Sequence, residues 1–163
     1  MKMTGTELLD KVESTKVVAV FSHEDQEVAL NVIKACYDGG IRVFEFTHRT
    51  KKSKEVIEFL LANRSSFPEM ALGVGTIMDV DQCQDFIRLG TDFIVAPFLD
   101  AAVARLCLEK QISWTPGCGT LSEIVQAERL GASLIKVFPA NVLGPDFIKG
   151  VLGPVPGLKL MPT

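Results

Sequence analysis

Two ionisable residues sit inside apolar runs, where charge is expensive. Lys136 lies in Ser133-Leu134-Ile135-Lys136-Val137-Phe138-Pro139-Ala140, and Glu45 interrupts Val43-Phe44-Glu45-Phe46. An ammonium taken out of water gives up its proton more readily, and a free amine attacks ketones. Lys136 is therefore a candidate Schiff-base nucleophile; the competing reading is a strand-end lysine whose head snorkels into water. Glu45 is the matching candidate for proton transfer, able to pair with Lys136 at rest and to move protons through water during turnover. Its competing reading is a purely structural ion pair.

Both runs have the β-branched, aliphatic and aromatic content of short buried strands. Side chains alternate along a strand, so Leu134, Lys136 and Phe138 share one face and Ile135 and Val137 the other. By the same parity Val43, Glu45 and Thr47 face one way and Phe44 and Phe46 the other. An arrangement with Glu45 inward and the aromatics packed outward against helices satisfies both.

The rest of the chain supplies five more strands of the same kind, predicted over 16–21, 70–74, 92–95, 112–114 and 158–161, besides the one at 41–46 and the one around Lys136. Helices alternate with them: one capped by Ser22, Glu24 and Asp25 and running to Tyr37, then 53–63, 79–89, 100–109, 122–130 and 146–150. A lead-in helix over 4–13, capped by Thr4, need not belong to the core fold. Helices closing on glycine just before each strand point to a parallel α/β sheet or barrel in a single domain. Phe21-Ser22-His23-Glu24 offers no glycine fingerprint for a dinucleotide, which favours a (β/α)8 TIM barrel over an open doubly wound sheet.

Such a barrel runs to about 250 residues and rarely fewer than about 200, whereas this sequence stops as the seventh strand ends. The expectation is one barrel domain over residues 1–163, truncated after strand seven and lacking the last helix, strand and helix. Strands one and seven would then be unpaired edges.

In barrels the working residues gather where strands end. At those places stand Ser22 and His23; Glu45, Thr47, His48 and Arg49; Gly75 and Thr76; Pro97; Thr115 and Gly117; Lys136; and Pro162 and Thr163. Arg49 suits a substrate carboxylate, which guanidinium binds bidentately, although it also sits in a charged loop run, His48-Arg49-Thr50-Lys51-Lys52. Gly73-Val74-Gly75-Thr76 lets backbone approach a ligand closely. A metal held by His23, His48 and Glu45 is a minor alternative, since histidines on separate loops more often serve as polar loop residues.

Val43-Phe44-Glu45-Phe46-Thr47-His48-Arg49-Thr50, Gly73-Val74-Gly75-Thr76, Phe93-Ile94-Val95-Ala96-Pro97, Thr115-Pro116-Gly117 and Ile135-Lys136-Val137-Phe138-Pro139-Ala140, in this order, resemble the 2-keto-3-deoxy-6-phosphogluconate (KDPG) aldolase family, which includes 4-hydroxy-2-oxoglutarate (KHG) aldolases. The likeness covers nearly the whole chain from about residue 5. It implies a trimeric class I aldolase that needs no metal or other cofactor. Lys136 then matches the Schiff-base lysine and Glu45 the general acid/base, Arg49 and Thr76 the ligands of the pyruvoyl carboxylate, and Pro97 and Phe138 the pocket around the imine. Thr163 falls at the start of the family's Pro-Thr-Gly-Gly-Ile run, whose glycines, with a later serine, bind the substrate's phosphate. His48 departs from the family's usual leucine.

Composition sets outer bounds. With 47% hydrophobic and 23% charged residues the chain can bury one substantial core. A net charge of −3 gives no basic field for nucleic acid or anionic membrane. No apolar run approaches the roughly 20 residues of a membrane span, and no signal-peptide segment opens the chain, so it reads as cytoplasmic. Cys36, Cys83, Cys107 and Cys118 form no CxxC pair and read as reduced thiols. Two rivals remain open: a phosphate-sugar barrel isomerase or epimerase in which Lys136 stays a cation, and a non-catalytic barrel fragment.

Overall fold

The computed structural model describes residues 3–163. Among these residues seven α-helices and seven strands alternate, with one 3-10 turn at Arg64–Ser66: α1 Gly5–Thr15, β1 Ala19–Phe21, α2 Gln26–Asp38, β2 Val43–Thr47, α3 Ser53–Ala62, β3 Ala71–Gly75, α4 Val80–Leu89, β4 Phe93–Ala96, α5 Ala101–Glu109, β5 Ser113–Cys118, α6 Leu121–Arg129, β6 Ile135–Val137, α7 Ala140–Leu152 and β7 Leu160–Pro162. The strands form one parallel sheet in chain order, β1 to β7. The fold is therefore α/β with a seven-stranded parallel sheet. Among the described residues, β1 pairs only with β2 and β7 only with β6, so the sheet is a curled, open part-barrel.

Two apolar layers show the curl. On the outside, Phe44, Phe46, Leu72, Val74, Ile94, Trp114 and Ile135 pack against helix residues that include Ile33, Ile57, Phe86, Cys107 and Ile124. On the inside, Val43, Ala71, Phe93 and Val95 meet Leu8 of α1, with Met3, Val12 and Val18 around them. Helix α1 touches both β2 and β5, three strands apart, and the Ser113 amide donates to the Met3 carbonyl at 3.0 Å. The lead-in helix is thus the floor of the curl and not an appendage. Its start is fixed by a capping box: Thr4 Oγ1 accepts from the Glu7 amide, and the Glu7 carboxylate accepts from the Thr4 amide. That anchor sets the helix phase which drives Leu8 inward.

Other side-chain caps start α2, α4 and α5 at Asp25, Asp79 and Asp100, and α6 at Thr120. Gly40, Gly90 and Gly131 turn the chain with φ of 92°, 95° and 90°. After α5 the same turn is made by Gln111 at φ 53°, so a glycine is not always used. Two elements run longer than the sequence pattern implies. β5 extends through Pro116 and Gly117 to Cys118, and α7 begins at Ala140, bending at Gly144 (φ 74°) immediately before Pro145. Pro145 occupies the first position of a restarted helix, where its missing N–H is harmless.

Between β1 and β7 lies a groove of about 610 Å³ lined by Val18, Val20, Leu134, Leu160, Met161 and Thr163, among others. Among the described residues no helix is long and apolar enough to cross a membrane.

Candidate active site

With Phe44 and Phe46 turned out to the helices, β2 turns Glu45 and Thr47 into the curl, each 1% exposed. β3 is built to receive them. Glu45 pairs in register with Gly73 and Thr47 with Gly75. A Cβ on Gly75 would overlap Glu45 Oε1, and one on Gly73 would overlap the ring of Phe93. The glycines expected to let backbone approach a ligand instead make room for two side chains of the protein itself. Burial pushes the Glu45 carboxyl above the usual range, and the positive charges of Lys136 and Arg49 pull it partly back. Its Oε2 has no hydrogen-bond partner, and no ion pair joins it to Lys136 within 4.0 Å. The two groups sense each other's charge without closing the salt bridge that the sequence allowed.

Lys136 is 4% exposed, opposite Gly117 on β5 and Met161 on β7. Its ammonium lies 5.0 Å from the centre of the Phe138 ring, as the shared parity of 136 and 138 requires. Gly117 has no room for a Cβ because the Pro97 carbonyl crosses it, which brings the end of β4 up against the strand beside Lys136. Pro97 and Phe138 are both half-buried.

Arg49 is exposed just past β2, and its Nε donates to Thr76 Oγ1 at 3.3 Å. Thr76 has φ 64°, in the left-handed region, which for a β-branched residue is a real outlier and costs of the order of 1–3 kcal/mol. Such strain concentrates at ligand clamps. The Arg49–Thr76 pair thus holds a guanidinium at the rim, aimed by a strained residue. Thr163 is exposed at the end of β7; its amide donates to the Val137 carbonyl at 3.2 Å and its carbonyl accepts from the Ala140 amide at 2.9 Å.

The structure separates the two histidines. His23 stacks on Phe21 and accepts from the Asp25 amide through Nδ1, while His48 packs edge-on against Phe86 of α4, outside the curl. The alternative metal site with Glu45 therefore does not assemble. Parity already carried that signal, since His48 follows Phe44 and Phe46 on the outward face. Among the described residues no group of three or more His, Cys, Asp or Glu side chains is placed to hold a metal. Two hydroxyls that the sequence left without a role also stand out: Thr47 Oγ1 and Thr115 Oγ1 are buried and unpartnered. Glu45 Oε2 shares the interior with them, while two further unpartnered atoms, His48 Nδ1 and Trp114 Nε1, lie on the outward face.

The chain as a whole has clear counterparts among known proteins. The KDPG and KHG aldolase family model matches residues 8–163. The 2-dehydro-3-deoxy-phosphogluconate aldolase of Haemophilus influenzae is 30% identical over all of this chain and 76% of its own length. That of Treponema pallidum is 32% identical over 96% of this chain and 73% of its own length. The solved KDPG aldolase of Legionella pneumophila, with pyruvate captured at low pH as a covalent carbinolamine intermediate, superposes with a TM-score of 0.82 at 28% identity, covering 90% of this chain and 70% of that one. The chain belongs to the KDPG and KHG aldolase family.

Proposed function

We propose that the protein is a class I aldolase that cleaves a 2-keto-4-hydroxy acid, either 2-keto-3-deoxy-6-phosphogluconate or 4-hydroxy-2-oxoglutarate, to pyruvate and an aldehyde. The observation that carries this reading is Lys136, an amine nearly sealed from water, sharing the interior with an unpaired Glu45 carboxylate. The captured pyruvate of the Legionella enzyme supports covalent chemistry on the same scaffold.

In the proposed mechanism the Lys136 amine adds to the C2 ketone and water leaves, giving a protonated imine. Glu45, acting through a water, takes the proton of the C4 hydroxyl. The C4–O electrons form the aldehyde carbonyl, the C3–C4 bond breaks, and its electron pair moves into the iminium to leave an enamine. C3 is then protonated and hydrolysis returns the amine. Arg49 and Thr76 are assigned the substrate carboxylate, with the guanidinium at the rim and Thr76 aiming it. Pro97 and Phe138 are assigned the walls around the imine, and Thr163 the far end of the substrate.

We also infer that a complete (β/α)8 barrel is the parent architecture, with further elements filling the groove between β1 and β7, and that the working form is a homotrimer. Four free cysteines are in keeping with a reducing, cytoplasmic setting. The function is tested by coupling pyruvate release to NADH oxidation through lactate dehydrogenase, with each of the two keto acids as substrate. Turnover of either one supports the reading, and the ratio of the two kcat/KM values names the aldehyde half. Absence of turnover on both, with the chain folded, would count against it.

A further inference from the structure

The treatment of Thr47 is lopsided. Its carbonyl is engaged by three donors: the Arg49 amide at 3.0 Å, Ser22 Oγ at 3.3 Å and Ser53 Oγ at 3.5 Å. Its own hydroxyl, on a residue 1% exposed, has none. Three bonds hold the backbone of this residue in place while its one side-chain polar atom is left without a partner. An unpartnered buried hydroxyl lowers stability unless something else uses it.

The surroundings say what that is. Thr47 shares the inward face of β2 with Glu45, whose Oε2 is the other unpartnered atom on the strand. Its register partner on β3 is Gly75, whose empty Cβ position is taken up by the Glu45 carboxylate, and this brings that carboxylate alongside Thr47. A water held between them would give Thr47 Oγ1 and Glu45 Oε2 the partner that each lacks within the protein.

We propose that Thr47 is a positioning residue that fixes the water through which Glu45 exchanges protons with the Lys136-bound intermediate; this rests on the aldolase reading above. In the step concerned, the C3–H of the pyruvate iminium gives its proton to the water as the water gives one to the Glu45 carboxylate. The C–H electron pair becomes the C2–C3 double bond, and the C2–N π pair returns to nitrogen. Reversal in heavy water places deuterium on C3.

The test is the rate of deuterium exchange into the methyl group of pyruvate, followed by proton NMR, alongside borohydride trapping of the imine. Thr47→Val keeps the shape and removes the hydroxyl, and is expected to slow exchange about tenfold or more. Trapping should stay within about twofold of the parent, because no protein group loses a hydrogen bond with the hydroxyl. Thr47→Ser should recover most of the exchange rate, and Thr47→Ala, which cannot overpack, should be as slow as the valine. Exchange by both Thr47→Val and Thr47→Ala within about twofold of a parent that traps pyruvate overturns the inference alone. A folded parent that traps no pyruvate overturns the aldolase reading and this inference with it.

Discussion

The inside of the curl has two storeys built by the same strands. The lower one, Val43, Ala71, Phe93 and Val95 over Leu8 of α1, is closed hydrocarbon. One pleat further along, β2 offers Glu45 and Thr47, β5 offers Thr115 and β6 offers Lys136, all nearly sealed from water and three of them with an unpartnered polar atom. β3 makes the contrast within a single strand, Gly73 yielding space to the Phe93 ring below and Gly75 to the Glu45 carboxylate above. The floor is satisfied within itself, and the mouth is not. Stability should therefore reside in the lower storey and chemistry in the upper, so substitutions in the two should have opposite signatures.

The largest separation is expected at Glu45. Glu45→Gln should lower kcat by about 10²–10⁴-fold, as loss of a general acid/base does. Burial raises the folded-state pKa of this carboxyl above its ordinary 4.5, so between that value and the raised one the folded protein binds more protons than the unfolded chain. Stability therefore falls as pH rises through that window. Glu45→Gln should raise the melting temperature at pH 7, and the advantage should vanish below about pH 4.5. The pH profile of kcat/KM should have an acidic limb above the usual carboxylate range, missing in the variant.

The floor should answer the other way. Leu8→Ala should lower unfolding free energy by about 2–5 kcal/mol in urea titration, with kcat per folded molecule nearly unchanged. A large loss of kcat from a folded Leu8→Ala would mean that the two storeys are coupled. The glycine pair sharpens the division. Gly73→Ala overpacks against Phe93 and should lower stability by about 1–3 kcal/mol. Gly75→Ala should mainly displace the Glu45 carboxylate, lowering kcat about ten- to a hundredfold, within the range expected of a disturbed acid/base. The smallest effect is reserved for the cap that seats the floor, where Thr4→Ala should lower stability by about 1 kcal/mol and leave kinetics alone.

Much of the upper storey was legible in the sequence because parity is a strong constraint on a strand. Once Phe44 and Phe46 face out, Glu45 has one place to go, and Lys136 is fixed in the same way by Ile135 and Val137. The floor was not legible. Leu8, Leu9 and Val12 announce a helix, but its position under the sheet depends on contacts with β2 and β5, far away in the chain. β5 was read as ending at Trp114 because Pro116 and Gly117 are ordinary strand breakers, yet here the strand continues through both, with Pro116 paired to Ala96. His48 was read by its place after a strand and not by its parity, hence its mistaken assignment to the mouth. The roles of Gly73 and Gly75 were invisible for a different reason: a glycine's sequence position does not say whether it admits a ligand or a neighbour.

The central claim is that Lys136 is the covalent nucleophile of the upper storey. The most direct measurement is the intact mass of the protein after incubation with pyruvate and borohydride, beside a Lys136→Ala control. The account predicts one reduced pyruvate adduct on the parent and none on the control. No adduct on a folded parent, or an adduct that persists without Lys136, would contradict it.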